Sequence, residues 1–564
     1  MKLHIFLPAV MVLMSACEQS HTASKKEIEA LNLKRGAMIT CSPAGGQFGS
    51  AEFTITGTGK DQEQFNLGLI LLHSFEYDEA EKVFAKIIDE SPGCAMAYWG
   101  VAMCNYHPLW TAPLPGELEK GFRAVAIANS VSGKNDKETA YINAIAAFFK
   151  DAKLLNHRTR TIRFEKGMEL VTKQFPGDKE ATTLYALALT AAADPTDKTL
   201  FKQKKAGALL NNLYASSPQH PGIVHYIIHA YDSPELAAMA LTAARKYASV
   251  APASAHALHM PSHIFTRLGL WNEAIGSNLA SVESAQCYAR AAGIKGHWDE
   301  EMHSLDYLMY AYLQKGDNAK AKEYLDYLGG IKEIHPANFK VAYALAAIPS
   351  RYLLENHLWQ EAANLQVNEA NVVWKDFPWQ RAMIHFTRLL GAAHSNQISL
   401  AKTELQQLEK IRDTLGLLKD DYKSNQVQVQ IYTGTAWILL KEGKESEALI
   451  QMAAAADLED KTEKHPVTPA EVVPAGQLLG DMLLILQRPQ EAFKTFVASL
   501  ERQPGRFNSL YGAAQAAQAC GDNAIAAKYY QQLIVNAGAG AQLRPELQTA
   551  HQFINRSAAL AKVQ

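Results

Sequence analysis

Two histidine pairs occupy the same register of this chain. His225 and His229 form one H-x-x-x-H, and His259 and His263 form another. The offsets are 259 − 225 = 34 and 263 − 229 = 34. Residues i and i+4 of an α-helix share a face, so each pair presents two imidazoles side by side. Imidazole suits zinc, copper, iron and nickel. Two pairs on adjacent helices therefore predict a transition-metal site of zinc, copper or iron, closed by four neutral nitrogens. Three nitrogens and an open position would instead be catalytic geometry. No H-E-x-x-H is present, so a zincin arrangement is not indicated. The competing reading of such histidines is contact with a small polar ligand, with a peptide or with nearby acids. Pro261, inside the second motif, cannot donate a helical hydrogen bond and predicts a kink or a fresh helix start there.

A fixed offset of this length requires a repeat. Thirty-four residues is the period of the tetratricopeptide (TPR) helical hairpin. Leu67, Gly68, Ala80, Phe84 and Pro92 fall at positions 7, 8, 20, 24 and 32 of one repeat. Leu479, Gly480, Ala492, Phe496 and Pro504 repeat the pattern, and Ala526 follows Ala492 by 34. Small residues at positions 8 and 20 let the helices approach, aromatics fill the surrounding space, and proline ends the second helix. The expected fold is an all-α TPR superhelical solenoid with a short extended N-terminal lead-in. Residues 18–60 would be tether and lead-in, including the alternating run Glu52–Thr56, read as extended or a small hairpin. Residues 61–456 would be the array, 457–473 a Pro-rich loop, and 474–564 the C-terminal repeats.

In TPR proteins, positions 2, 5, 9, 12 and 13 of the first helix line the concave face. Likeness to that pattern puts His256, His259 and His263 at positions 2, 5 and 9, with His225, His229 and Asp232 at 5, 9 and 12 of the repeat before. His303, Asp306 and Tyr310 fall at 2, 5 and 9, and Arg351 at 9, of later repeats. His225, His229, His259 and His263 are thus the expected metal ligands. His256, His303, Asp232, Asp306, Tyr310 and Arg351 are expected to bind a polar ligand in the same groove. Asp232 or Asp306 would orient an imidazole or act as a base, and Arg351 would meet a ligand carboxylate or Asp306. His465 and Glu471, on the loop, are weaker candidates to close over the groove. His73 reads as a turn residue and His107 as a helix stop.

Four stretches carry a wider resemblance: Leu71–Ala80, Cys94–Gly100, His225–Asp232 and His256–Phe265. Through them the chain resembles a family of exported bacterial TPR proteins, over most of its mature length. A weaker likeness links the middle region to tetratricopeptide repeat protein 38 of eukaryotes. Neither resemblance brings an established activity.

The N-terminus reads as a targeting segment. Lys2 and His4 precede an apolar run, Ile5 to Met14, too short to span a bilayer as a mature helix. Met14-Ser15-Ala16-Cys17 resembles a bacterial lipobox. The likeness implies a signal peptide of residues 1–17, cleaved before a lipidated Cys17, and anchoring in the envelope at the outer membrane. Glu18 follows where Asp would signal inner-membrane retention. Ordinary secretion with cleavage near Ala16 is the alternative. Five cysteines remain, with no C-x-x-C, so no pairing is fixed. A net charge of −2 with no basic tail gives no reason to expect nucleic acid. No phosphate-cradling Gly-rich loop and no G-x-S-x-G occur. The expectation is a membrane-anchored TPR binding protein holding a metal ion or small polar ligand. The alternatives are a metal-dependent enzyme using the same groove, and a protein–protein scaffold without metal.

Overall fold

The computed structural model describes residues 21–41, 47–109, 111–538 and 544–561. The lipobox-like end at Cys17 lies outside them. The chain is an all-α succession of helical hairpins, each helix packing chiefly on its predecessor and its successor. Among the described residues the strands are two dipeptides, His297–Trp298 and Ile334–His335, paired in parallel. The lead-in forms no hairpin: residues 47–57 are irregular, and its Phe48, Phe53 and Ile55 are buried in the core. A short helix, Lys25–Glu29, precedes them. The long loop begins later than residue 457, because the helix Glu445–Lys461 continues past it.

The hairpins close by one device used at both ends of the array. A Cβ on Gly68 would lie 2.6 Å from the Phe84 ring, and one on Gly100 2.5 Å from it. Phe496 sits likewise against Gly480, at 2.7 Å, and Gly512, at 2.4 Å. Each ring is fully buried between the first helix of its own hairpin and the first helix of the next. The ring fills what the missing side chains leave, which sets helix spacing by steric contact rather than by propensity.

The array curves until its parts meet. The helix Pro221–Ala230 touches Gly59–His73, and Asp299–Gln314 touches Phe507–Ala519. The second junction is polar and buried. Arg506 pairs with Glu355, the Phe507 amide donates to Gln314 Oε1 at 2.9 Å, and Trp271 Nε1 donates to the Gly505 carbonyl at 3.1 Å. One disulfide, Cys41–Cys287, ties the lead-in to the helix Trp271–Ala291. Cys94 and Cys104 are buried free thiols. No helix of the described residues is long and apolar enough to cross a membrane.

A candidate metal centre of two histidine triads

Three inner helical segments carry the histidines. The helix Pro221–Ala230 starts with Pro221 at its first turn, where the missing N–H costs nothing, and His220 caps it by accepting the Ile223 amide at 3.2 Å. The next segment is broken as Pro261 requires: Ala255–His259 ends, and Pro261–Arg267 begins anew. The break does not part its histidines. Met260 keeps helical angles (φ −52°, ψ −37°), and His259 Nε2 lies 3.1 Å from His263 Nε2. The helix Asp299–Gln314 brings three acidic residues in its first turn, suited to a helix N-terminus, and then His303.

The four histidines of the two motifs do not converge on one point. Each pair takes its third imidazole from the start of the following repeat instead. His225, His229 and His256 form one set, and His259, His263 and His303 the other, each with ligand atoms within 4.8 Å of one another. The sets repeat in detail. Within the i, i+4 pairs, Nε2 atoms lie 2.9 Å apart for His225 and His229 and 3.1 Å apart for His259 and His263. His256 Nε2 is 3.2 Å from His225 Nε2. The His303 and His259 rings lie 4.1 Å apart between centroids. Nitrogens bound tetrahedrally at about 2.0–2.1 Å from an ion lie about 3.3 Å from each other. The three Nε2 separations of 2.9, 3.2 and 3.1 Å are close to that spacing.

Neighbouring atoms fix the proton positions. His225 Nδ1 donates to the His73 carbonyl at 2.7 Å. His259 Nδ1 donates to Asn278 Oδ1 at 2.6 Å, and the Asn278 amide is oriented by its own donation to the Ala274 carbonyl at 2.7 Å. His263 Nδ1 donates to Asp232 Oδ2 at 3.1 Å. In each of these rings the proton is on Nδ1, and the lone pair of Nε2 faces another histidine, with the Tyr307 hydroxyl also 3.3 Å from His263 Nε2. Protonation does not resolve this crowding easily. Burial pushes His225, His229, His259 and His303 well below the ordinary imidazole range, and His263 down to about 4. Burial alone would raise Asp232. Lys464, Arg267 and His263 outweigh it and hold that carboxyl well below its usual range.

The remaining expected residues divide. Asp232 supports His263 from behind. Asp306 does not touch a histidine: burial raises it to about 6, and Arg351 Nε is 3.6 Å away. The Arg351 guanidinium lies 5.3 Å from the Tyr310 ring centre, and Tyr310 accepts from Arg506 Nη1 at 3.3 Å. These three belong to a separate buried polar cluster. The expected concave groove is filled. His225, His256, His259, His263, His303, Asp306, Tyr310 and Arg351 are all buried. The loop after Lys461 closes over them, because Lys464 Nζ donates to Asp232 Oδ2 at 3.1 Å and Arg351 Nη2 to the Ala470 carbonyl at 2.7 Å. His465 packs on Phe339 and Trp379 within that loop, and Glu471 accepts from Gln503 at 2.7 Å.

Two further participants were not among the expected residues. Phe75, at φ 59° in a turn, stacks on His229 and His256 at 5.8 and 5.6 Å. The Tyr307 hydroxyl is 3.3 Å from both His263 nitrogens. Tyr307 had a findable signal, since it stands at i+4 from His303. His73 is no turn residue: it ends its helix fully buried, with Nε2 2.9 Å from Glu180 Oε2 and Nδ1 3.0 Å from the Tyr226 hydroxyl. His107 does not end its helix, which closes at Cys104; it lies three residues beyond, at φ 44°, with Nε2 3.1 Å from Glu117.

Neither a protein-family model nor a curated protein sequence matches the chain. Among solved structures it is similar to yeast Tom70, at 10% identity and TM-score 0.34, covering 88% of this chain and 96% of that one. It is also similar to the human IFIT1 dimer with PPP-AAAA, at 10% identity and TM-score 0.34, covering 82% and 94%. At those values no ligand or activity passes from them to this chain, and the fold assignment rests on the hairpins themselves.

Proposed function

We propose that this helical-repeat protein binds transition-metal ions through its two histidine triads. The observation that carries the reading is the pair His259 and His263: two buried Nε2 lone pairs 3.1 Å apart, each with its proton committed elsewhere to Asn278 or Asp232. A cation between them turns that repulsion into ligation. Asp232 and Asn278 then serve as the outer partners that orient metal-bound imidazoles. Three imidazoles leave a fourth position for a ligand, so binding and catalysis both remain within the chemistry of the site.

The test is metal analysis of untagged protein purified without chelator, with His263→Ala beside it. Wild type should carry zinc, copper or iron, and the variant less, with helicity unchanged. Protein that carries none and takes none up at micromolar concentration would end the reading.

Export and lipidation at Cys17 belong to the same proposal. The Cys41–Cys287 disulfide supports an oxidising compartment. Cys17→Ala should abolish labelling by a fatty-acid probe and release the protein from membranes, and unchanged membrane association would refute the anchor.

A further inference from the structure

The two triads are neighbours, not separate stations. The rings of His229 and His263 lie 6.1 Å apart, and those of His256 and His259 6.4 Å apart, so each ring of the first set that approaches the second meets it in contact. One enclosed cavity touches both sets. It is lined by His256 from the first and by His263 and His303 from the second, with Met260, Pro466, Val467 and the Glu300–Lys340 ion pair completing the wall. Its volume is about 10 Å³, room for about one water molecule. Whatever sits there is very small and is shared by both sets.

Charge narrows the ions. All six ligands of the two triads are imidazoles. The nearby carboxylates have cations of their own, Asp232 with Arg267 and Lys464, and Glu300 with Lys340, while Glu300 Oε2 stands 3.9 Å from His256 Nδ1. Two divalent ions would add four positive charges to a buried site with no carboxylate in either triad, which is costly in a low-dielectric interior. Two monovalent ions halve that burden. Copper is the imidazole-binding metal with a stable monovalent state, and Met260 adds a soft thioether to the cavity wall.

We infer that the two triads form one dicopper centre whose shared ligand, in the cavity between His256, His263 and His303, is dioxygen. This rests on the metal-binding reading above and adds number, identity and ligand to it. The step balances without outside help. Each Cu(I) gives up one electron, dioxygen accepts both, the O–O bond falls from double to single order, and the product is peroxide held between two Cu(II). No proton and no external reductant enter.

Full-length untagged protein, loaded with Cu(I) under nitrogen, should bind two copper ions per chain. Admitting oxygen should produce a visible or near-ultraviolet charge-transfer band that fades on purging. The oxidised centre should be silent in electron paramagnetic resonance, because two Cu(II) ions sharing a ligand couple. His303→Ala and, independently, His256→Ala should each reduce copper from two ions toward one and abolish the band. Two uncoupled Cu(II) signals, a single copper per chain, or a band that survives both substitutions would overturn the inference. Uptake of zinc or iron without copper would sink it and leave the metal-binding reading standing. Uptake of no metal at all would sink both.

Discussion

Two of the three buried histidine clusters among the described residues differ in one respect. His73, Glu180 and His220 form the first; His259, His263 and His303 form the second. In the first, every polar atom has a matching neighbour. Glu180 accepts from His73 at 2.9 Å and from His220 at 2.5 Å, the Tyr226 hydroxyl meets His73 Nδ1, and His220 Nδ1 accepts a backbone amide. It is a closed hydrogen-bond network with a carboxylate at its centre. In the second, His259 Nε2 and His263 Nε2 face each other with the Tyr307 hydroxyl 3.3 Å from His263, and the carboxylate stands behind the ring. Ligand count and burial do not separate the two clusters. An inventory of donors and acceptors does: only the second sets two acceptor nitrogens, His259 Nε2 and His263 Nε2, against each other.

The sharpest way to test that contrast is to break the closed network. Glu180→Ala strands two buried imidazoles and should cost about 3–5 kcal/mol in denaturant unfolding, with or without metal. A loss that added metal restores would erase the distinction.

Next in size is the response to metal. A ligand at a hundred times its Kd stabilises a folded protein by about 2.7 kcal/mol. Copper or zinc should raise the Tm of wild type and of the closed-network variant alike, but raise that of His263→Ala far less. An equal shift in all three would mean that the ions bind elsewhere.

Acid should act on both clusters, and on histidines outside them. Burial lowers His73, and it lowers His394 and His465 to about 3. Below pH 6.5 the unfolded chain takes up protons that the folded chain refuses, so stability rises with pH across that window. Each such group should cost about 1.4 kcal/mol per pH unit as pH falls from 6.5 toward its folded value. Unfolding at pH 7 and pH 5 checks the sign. Flat stability would show that these rings are accessible to protons in the folded state.

The smallest effect should come from Asn278→Ala. It removes the acceptor that holds the His259 proton on Nδ1. Metal affinity should fall roughly tenfold, with a stability cost of about 1 kcal/mol. Unchanged affinity would remove the tautomer argument.

Much of this was legible beforehand. The 34-residue offset between the motifs reported their register, because identical positions of stacked hairpins must face the same way. Leu67 to Pro92 and Leu479 to Pro504 reported the hairpins, since only small residues at fixed positions permit the Phe84 and Phe496 contacts. The division into triads was half visible. His256 and His303 both stand at position 2, and the rule that position 2 of one repeat completes positions 5 and 9 of the repeat before could have been written from the numbering. It was hidden by unequal spacing: 256 − 225 = 31 but 303 − 259 = 44, because the helix Trp271–Ala291 is long. The filled groove was not legible. Lys464 reaches Asp232 and Arg351 reaches Ala470 across separations that no local pattern encodes.

That crossing of the chain has a consequence in time. Lys464 and Ala470 are made long after His303. A growing chain therefore exposes six imidazoles on an uncovered surface before the segment that seals them exists. Domains tend to fold in the order they are synthesised. An ion arriving in that interval meets no barrier, whereas one arriving later waits for Lys464 and Arg351 to let go. Loading is then a matter of assembly history. The exchange rate of a bound ion should follow how often the cover lifts, rather than how tightly the imidazoles hold.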